Sequence, residues 1–211
     1  MYEMIFLFFE ILGTIAFAIS GALTALKQRM DMLGVCVLGC VTAIGGGIIR
    51  DVILGITPPK TFEHPIYVTI AIITSLVCFL PAVQKALQEC SLLETRLLIL
   101  MDSIGLGIFT VVGIQTAQNL SDTNSIFLLV FVGVITGVGG GVLRDIMAGE
   151  KPQIFYKHFY ATASIIGALA CSILWNYIDI TLNLCLSTAI IIILRLFAAR
   201  FRWSLPVSKI N

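Results

Sequence analysis

Gly45-Gly46-Gly47-Ile48-Ile49-Arg50-Asp51 returns 94 residues later as Gly139-Gly140-Gly141-Val142-Leu143-Arg144-Asp145. The same offset carries Gly55 to Gly149, Pro58 to Pro152 and His64 to His158. Upstream, an offset of 92 carries Glu10 to Asp102, Gly13 to Gly105, Phe17 to Phe109 and Gly21 to Gly113. Self-similarity at a fixed period marks a chain built from copies of one unit. The two offsets differ by only two residues, a slippage that a loop absorbs.

Composition sets the solvent in which those copies fold. Mean hydropathy is +1.02, with 58% hydrophobic and 12% charged residues, against about half and about a quarter in a soluble domain. The chain is therefore expected to be all-α and polytopic, because only helices and closed barrels satisfy their backbone in lipid. A net charge of +1, with basic residues scattered in ones and twos between apolar runs, excludes a nucleic-acid stripe and a polybasic lipid anchor. The six cysteines contain no CxxC pair, so they read as small apolar residues and not as a zinc or disulfide framework. The first apolar run follows acidic Glu3 and has no small-residue cleavage site, so it is expected to stay as a helix.

Apolar stretches over 4–26, 32–54, 62–80, 97–117, 125–148, 159–175 and 182–199 predict seven transmembrane helices. Counting loops alternately, Lys27, Arg29, Lys85, Arg96, Lys151, Lys157, Arg200, Arg202 and Lys209 fall on one side and Lys60 on the other. The positive-inside rule then places the N-terminus outside and the C-terminus in the cytoplasm. The first three-helix repeat spans 1–82, the second 97–176, and 180–211 holds the seventh helix and a cytoplasmic tail. A unit of three spans is odd, so the second copy enters from the opposite face: an inverted 3+3 repeat plus one helix.

Three successive glycines lower helix propensity, and Gly45, Gly46, Gly47 and Gly139, Gly140, Gly141 are expected to break the second and fifth helices. Such a break could expose carbonyls to a solute; alternatively, small residues could let two helices approach closely. Arg50-Asp51 and Arg144-Asp145 follow a turn later. Adjacent residues on a helix point about 100° apart, so each arginine is expected to pair across the repeats or with another helix, not with its neighbour. These charges read either as a structural lock or as part of the solute path. Glu10 reads as an interfacial acid, and Asp102, deeper in its apolar run, as the better candidate for a path. His64 and His158 read as helix-start or interface residues and not as metal ligands. No Walker A, GxSxG, HExxH or dinucleotide motif occurs, so no enzyme is expected and no metal site.

The paired GGGxxRD segments in a seven-span repeat resemble the prokaryotic members of the trimeric intracellular cation (TRIC) channel family, over nearly the whole chain. The resemblance implies a homotrimer with one hourglass pore per protomer, constricted where the second and fifth helices kink at the glycines. It implies monovalent cations, potassium and sodium, as the permeating ions, with no cofactor. It makes Asp145 the best single candidate for a polar pore or gate residue; Asp51 is its match in the first repeat, and Arg50, Arg144, Asp102 and Glu10 stay as candidate structural or pore-lining charges. It also implies an inner-membrane protein in contact with lipid. The eukaryotic Lys-Glu-Val signature is absent, Gly139-Gly140-Gly141-Val142 standing in that region, so eukaryotic voltage and lipid regulation is not carried over. Bacterial relatives are also described as glycine transporters, which leaves secondary transport of a small solute as the alternative.

Overall fold

The computed structural model describes residues 2–89, 91–120, 125–155, 159–201 and 203. The described residues form helices: α1 Tyr2–Lys27, α2 Met32–Ile53, α3 Lys60–Glu63, α4 Ile66–Phe79, α5 Pro81–Gln88, α6 Ser91–Leu120, α7 Ile126–Met147, α8 Tyr160–Leu174 and α9 Ile180–Phe201, with a 3-10 turn at Gln153–Phe155. Five of these, α1, α2, α6, α7 and α9, are long and apolar enough to cross a membrane; α4 and α8 are shorter apolar helices of 14 and 15 residues.

The predicted apolar runs are helical almost to their ends, with two differences. The run over 62–80 is two helices, because His64-Pro65 interrupts it and α4 starts immediately after the proline. The polar stretch from Gln84 to Arg96, expected as a separator, is helical in α5 and the first turns of α6. Its alanine, glutamine, lysine and leucine residues are good helix formers whatever their polarity.

Matching helices begin and end alike. Asp31 caps α2 by accepting from the Gly34 N–H at 2.7 Å, and Ser125 caps α7 through the Leu128 N–H at 3.4 Å. Both end in a left-handed glycine, Gly55 at φ 72° and Gly149 at φ 70°. The following N–H groups, of Ile56 and Glu150, reach back to the Asp51 and Asp145 carbonyls at 2.8 Å. Glycine is required there because a Cβ crowds the backbone at that φ.

At the centre α1, α2, α6 and α7 pack together; α4 lies against α1 and α2, α8 against α6 and α7, and α9 against α6 and α8. The crossing of α2 and α7 is reciprocal. A Cβ on Gly46 would overlap the Thr136 carbonyl oxygen, and a Cβ on Gly140 would overlap the Thr42 carbonyl oxygen. Thr42 and Thr136 are themselves matching residues, and their hydroxyls sit 2.6 Å from where a Cβ of Gly21 or Gly113 would lie. Phe17 packs on Gly105 and Phe109 on Gly13, with ring centroids 5.3 Å apart. Small residues thus let four helices meet backbone to backbone.

The expected breaks at the glycines are not present: α2 and α7 are helical without interruption through Gly45–47 and Gly139–141. Glycine costs about 1 kcal/mol of helix propensity relative to alanine. An opened turn in lipid costs more, because it leaves backbone groups unsatisfied at several kcal/mol each. Buried hydroxyls obey the same rule, for Thr24, Thr42, Ser75, Thr110 and Thr136 each donate to the carbonyl four residues back. Large apolar side chains such as Phe8, Leu33, Ile73, Phe127 and Ile193 face outward, as suits a lipid surround.

Gly46→Ala and Gly140→Ala should each lower stability by about 1–3 kcal/mol through overpacking against backbone. Gly47→Ala, whose new methyl meets nothing nearer than Arg50 Nη2 at 3.9 Å, should be near neutral. Thermal unfolding of the purified protein in detergent reads the difference, and equal losses at the three sites would refute the crossing.

Candidate functional site: two matched charge clusters

At the ends of α2 and α7 stand the two Arg-Asp pairs, all four residues buried. The expectation that neighbours do not pair is corrected by the geometry. Arg50 donates from Nε and Nη2 to Asp51 Oδ1 at 2.8 and 2.7 Å, and Arg144 to Asp145 Oδ1 at 2.9 and 2.8 Å. The arginine stem is long enough to curl across the angle between adjacent positions, and its planar fork suits a carboxylate. The second oxygen of each aspartate is also used. Asp51 Oδ2 accepts the Lys60 N–H at 2.9 Å and Asp145 Oδ2 the Gln153 N–H at 2.8 Å. Each aspartate therefore ties its arginine and the returning loop to one helix end, and Asp145 has both carboxylate oxygens satisfied.

Beyond these pairs the clusters differ. In the second, Arg144 Nη1 also donates to Asp102 Oδ1 and Ser20 Oγ, both at 2.5 Å, so the anticipated partner on another helix exists as well. Arg195 of α9 joins from outside the duplication. Its Nη2 is 3.3 Å from Gln153 Oε1 and 4.0 Å from Asp102 Oδ2, and its guanidinium lies 4.8 Å over the Tyr160 ring. Two arginines and two aspartates balance in charge, as a buried cluster must if it is not to carry an uncompensated ion.

In the first cluster Glu10 does not meet Arg50; its carboxylate accepts from the Tyr67 hydroxyl at 2.5 Å. Glu10, Thr14, Gly47, Arg50, Lys60 and Tyr67 line a cavity of about 40 Å³. That exceeds the about 10–15 Å³ needed to admit a water. Glu10, expected as an interfacial acid, faces this cavity.

The glycines divide the work. Gly45 packs against Leu143, Gly46 and Gly140 meet backbone, and Gly139 lies against Gly46 and Ile49. Gly47 faces the cavity, while a Cβ on Gly141 would stand 2.6 Å from the Tyr160 hydroxyl. His64 is exposed at the end of α3, and His158 falls outside the described residues. Sequence reading missed Tyr67, Tyr160, Gln153 and Arg195. An offset of 93, which pairs Tyr67 with Tyr160 and Cys78 with Cys171, would have found the tyrosines. Arg195 was visible as a lone charge after Ile190-Ile191-Ile192-Ile193-Leu194.

A duplicated helical frame in an apolar chain, five of whose helices are long and apolar enough to cross a membrane, defines a polytopic membrane protein. A family model described as Glycine transporter matches residues 7–82 and 99–176. The UPF0126 inner membrane protein YadS of Escherichia coli K12 is 36% identical over 198 residues, 94% of this chain and 92% of its own. A UPF0126 membrane protein of Deinococcus radiodurans is 40% identical over 161 residues, 75% and 71% of the two chains. Among solved structures, one of a study of conductance through TRIC cation channels matches with TM-score 0.84 at 40% identity, covering 97% of both chains. The TRIC orthologue of Rhodobacter sphaeroides matches with TM-score 0.84 at 30% identity, covering 94% of this chain and 98% of its own. A further prokaryotic TRIC channel matches with TM-score 0.87 at 30% identity, covering 97% and 100%. The chain belongs to this family of prokaryotic TRIC membrane proteins, to which the glycine transporter description is also attached.

Asp102→Asn should cost about 3–5 kcal/mol, because it leaves two buried arginines facing one carboxylate. Glu10→Gln keeps an acceptor for the Tyr67 hydroxyl and loses only the charge assistance of that bond, so it should cost about 1 kcal/mol. Detergent unfolding curves compare the two, and equal losses would contradict the unequal clusters.

Proposed function

We propose that the protein is a monovalent cation channel, passing potassium or sodium through one path in each protomer of a homotrimer. The observation that carries this reading is the likeness to a solved TRIC cation channel at 40% identity over 97% of both chains. The local geometry supports it. The cavity beside Glu10 is lined by Gly47, one residue from the α2–α7 crossing at Gly46 and Gly140. An acid at the mouth of a narrow passage concentrates cations, and the crossing is the constriction. Asp51 and Asp145 act by holding Arg50 and Arg144 at the helix ends beside it.

The fold accompanying this function is a seven-span inverted 3+3 repeat with one extra helix, α4 and α8 being the third span of each half. The N-terminus lies outside the inner membrane and the C-terminus in the cytoplasm, in keeping with the distribution of lysine and arginine. Lipid and two further copies of the chain are its partners; it works without a cofactor and is not an enzyme.

A second reading, secondary transport of a small solute such as glycine, is favoured by two observations. One is the description of the family model. The other is that the cavity brings Glu10 together with Arg50 and Lys60, opposite charges that suit a zwitterion better than a bare cation. Single-channel recording in planar bilayers under a potassium gradient decides between them. Discrete cation-selective openings, reduced several-fold in conductance by Glu10→Gln, are the expected result. Silence in bilayers together with labelled-glycine uptake into liposomes would overturn the channel and establish the carrier.

A further inference from the structure

In each half of the molecule an acid stands between an arginine and a tyrosine. Glu10 corresponds to Asp102, Arg50 to Arg144, and Tyr67 to Tyr160 at the offset of 93. That last offset is structural as well, since it pairs Ala71 with Ser164, Ser75 with Ala168 and Cys78 with Cys171, all buried.

The acids make opposite choices. Glu10 takes the tyrosine, and Asp102 takes the arginine. The vacated space follows the choice. Over Gly141 the Tyr160 hydroxyl fills the room a Cβ would need, whereas over Gly47 the nearest atom is Arg50 Nη2 at 3.9 Å and the cavity begins.

The second half is not at rest in its hydrogen bonding. The Tyr160 hydroxyl and Asp102 Oδ2 are both buried and have no hydrogen-bond partner, which costs free energy at each. A bond between them would relieve both, as the bond between Tyr67 and Glu10 does in the first half. What distinguishes the second half is Arg195, contributed by α9, a helix outside the duplication. It lies on the Tyr160 ring and beside Asp102 Oδ2, holding the ring by cation–π attraction and the carboxylate by charge.

We propose that Arg195 is a positioning residue that keeps Tyr160 off Asp102, so that the second half stays closed on its Asp102–Arg144 pair while the first half stands open. The two halves show the two positions of one acid switch. Releasing Tyr160 moves Asp102 from Arg144 to the tyrosine and opens, over Gly141, the space already open over Gly47. The proposal rests on the solute path only for its consequence, a second wet vestibule; the switch itself is read without any solute.

Thiol labelling tests it whether the protein conducts or carries. Leu106 matches Thr14, which lines the open cavity. With methyl methanethiosulfonate and mass-spectrometric readout of the labelled peptide, Thr14→Cys should react and Leu106→Cys should be protected. Adding Arg195→Gln to Leu106→Cys should raise its labelling about tenfold, the response to a population shift of that size. Adding Tyr160→Phe, which cannot bond the acid, should return it to the protected rate, and Arg195→Lys should leave it there. A merely structural loss at Arg195 would raise labelling in a way that Tyr160→Phe does not reverse, and that result, or no rise at all, overturns the proposal. Should Arg195→Gln not fold, Tyr67→Phe gives the converse reading: Glu10 returns to Arg50 and Thr14→Cys labelling falls, and an unchanged rate contradicts the switch.

Discussion

Everything in this molecule is arranged around the place where α2 and α7 touch. At Gly46 and Gly140 each helix rests on a threonine carbonyl of the other, a distance of approach that any side chain would forbid. Once two backbones are that close, the residues a turn further along, Arg50-Asp51 and Arg144-Asp145, are carried into the interior of the bundle. Buried ions must then be balanced locally. The clusters of acids, arginines and loop N–H groups at the helix ends are the consequence of the glycine crossing.

The duplication gives both halves the same parts, and function enters where the halves use them differently. A perfectly symmetric molecule would either close both clusters or open both. Here one acid rests on tyrosine beside a cavity and the other on arginine in a buried network. In the proposed switch the difference is imposed from outside the repeat, by Arg195 of α9, whose guanidinium lies over the Tyr160 ring. The last helix, which the internal symmetry leaves over, thereby acquires a physical role beyond filling the flank of α6 and α8.

Much of the frame was legible because lipid leaves the backbone few options. Apolar runs must be helical, and the predicted runs are so almost to their ends, apart from the interruption at His64-Pro65. Helix ends were less legible, since α5 is polar yet built from good helix formers. The glycine triplets misled for an instructive reason: propensity scales refer to water, where an opened turn is solvated, while inside a bundle the same residues stay helical and serve as points of contact. The Arg-Asp pairs misled because side-chain direction was taken at Cβ, ignoring the reach of the arginine stem. Glu10, Asp102, Arg50 and Arg144 were found from the repeat, but their partners Tyr67, Tyr160 and Arg195 were not. The tyrosines lie beyond a one-residue slip after the histidines, and Arg195 has no twin for a repeat search to match.

The most direct test of this asymmetry is a pair of double-mutant cycles on the unfolding of the purified protein, one on Asp102 with Arg144 and one on Glu10 with Arg50. Direct contact in the second half predicts a coupling of about 1–3 kcal/mol for Asp102 with Arg144. For Glu10 with Arg50, which line one cavity without bonding, the predicted coupling is smaller than for the bonded pair. Equal couplings, or a larger one between Glu10 and Arg50, would contradict two halves built alike and set in opposite positions.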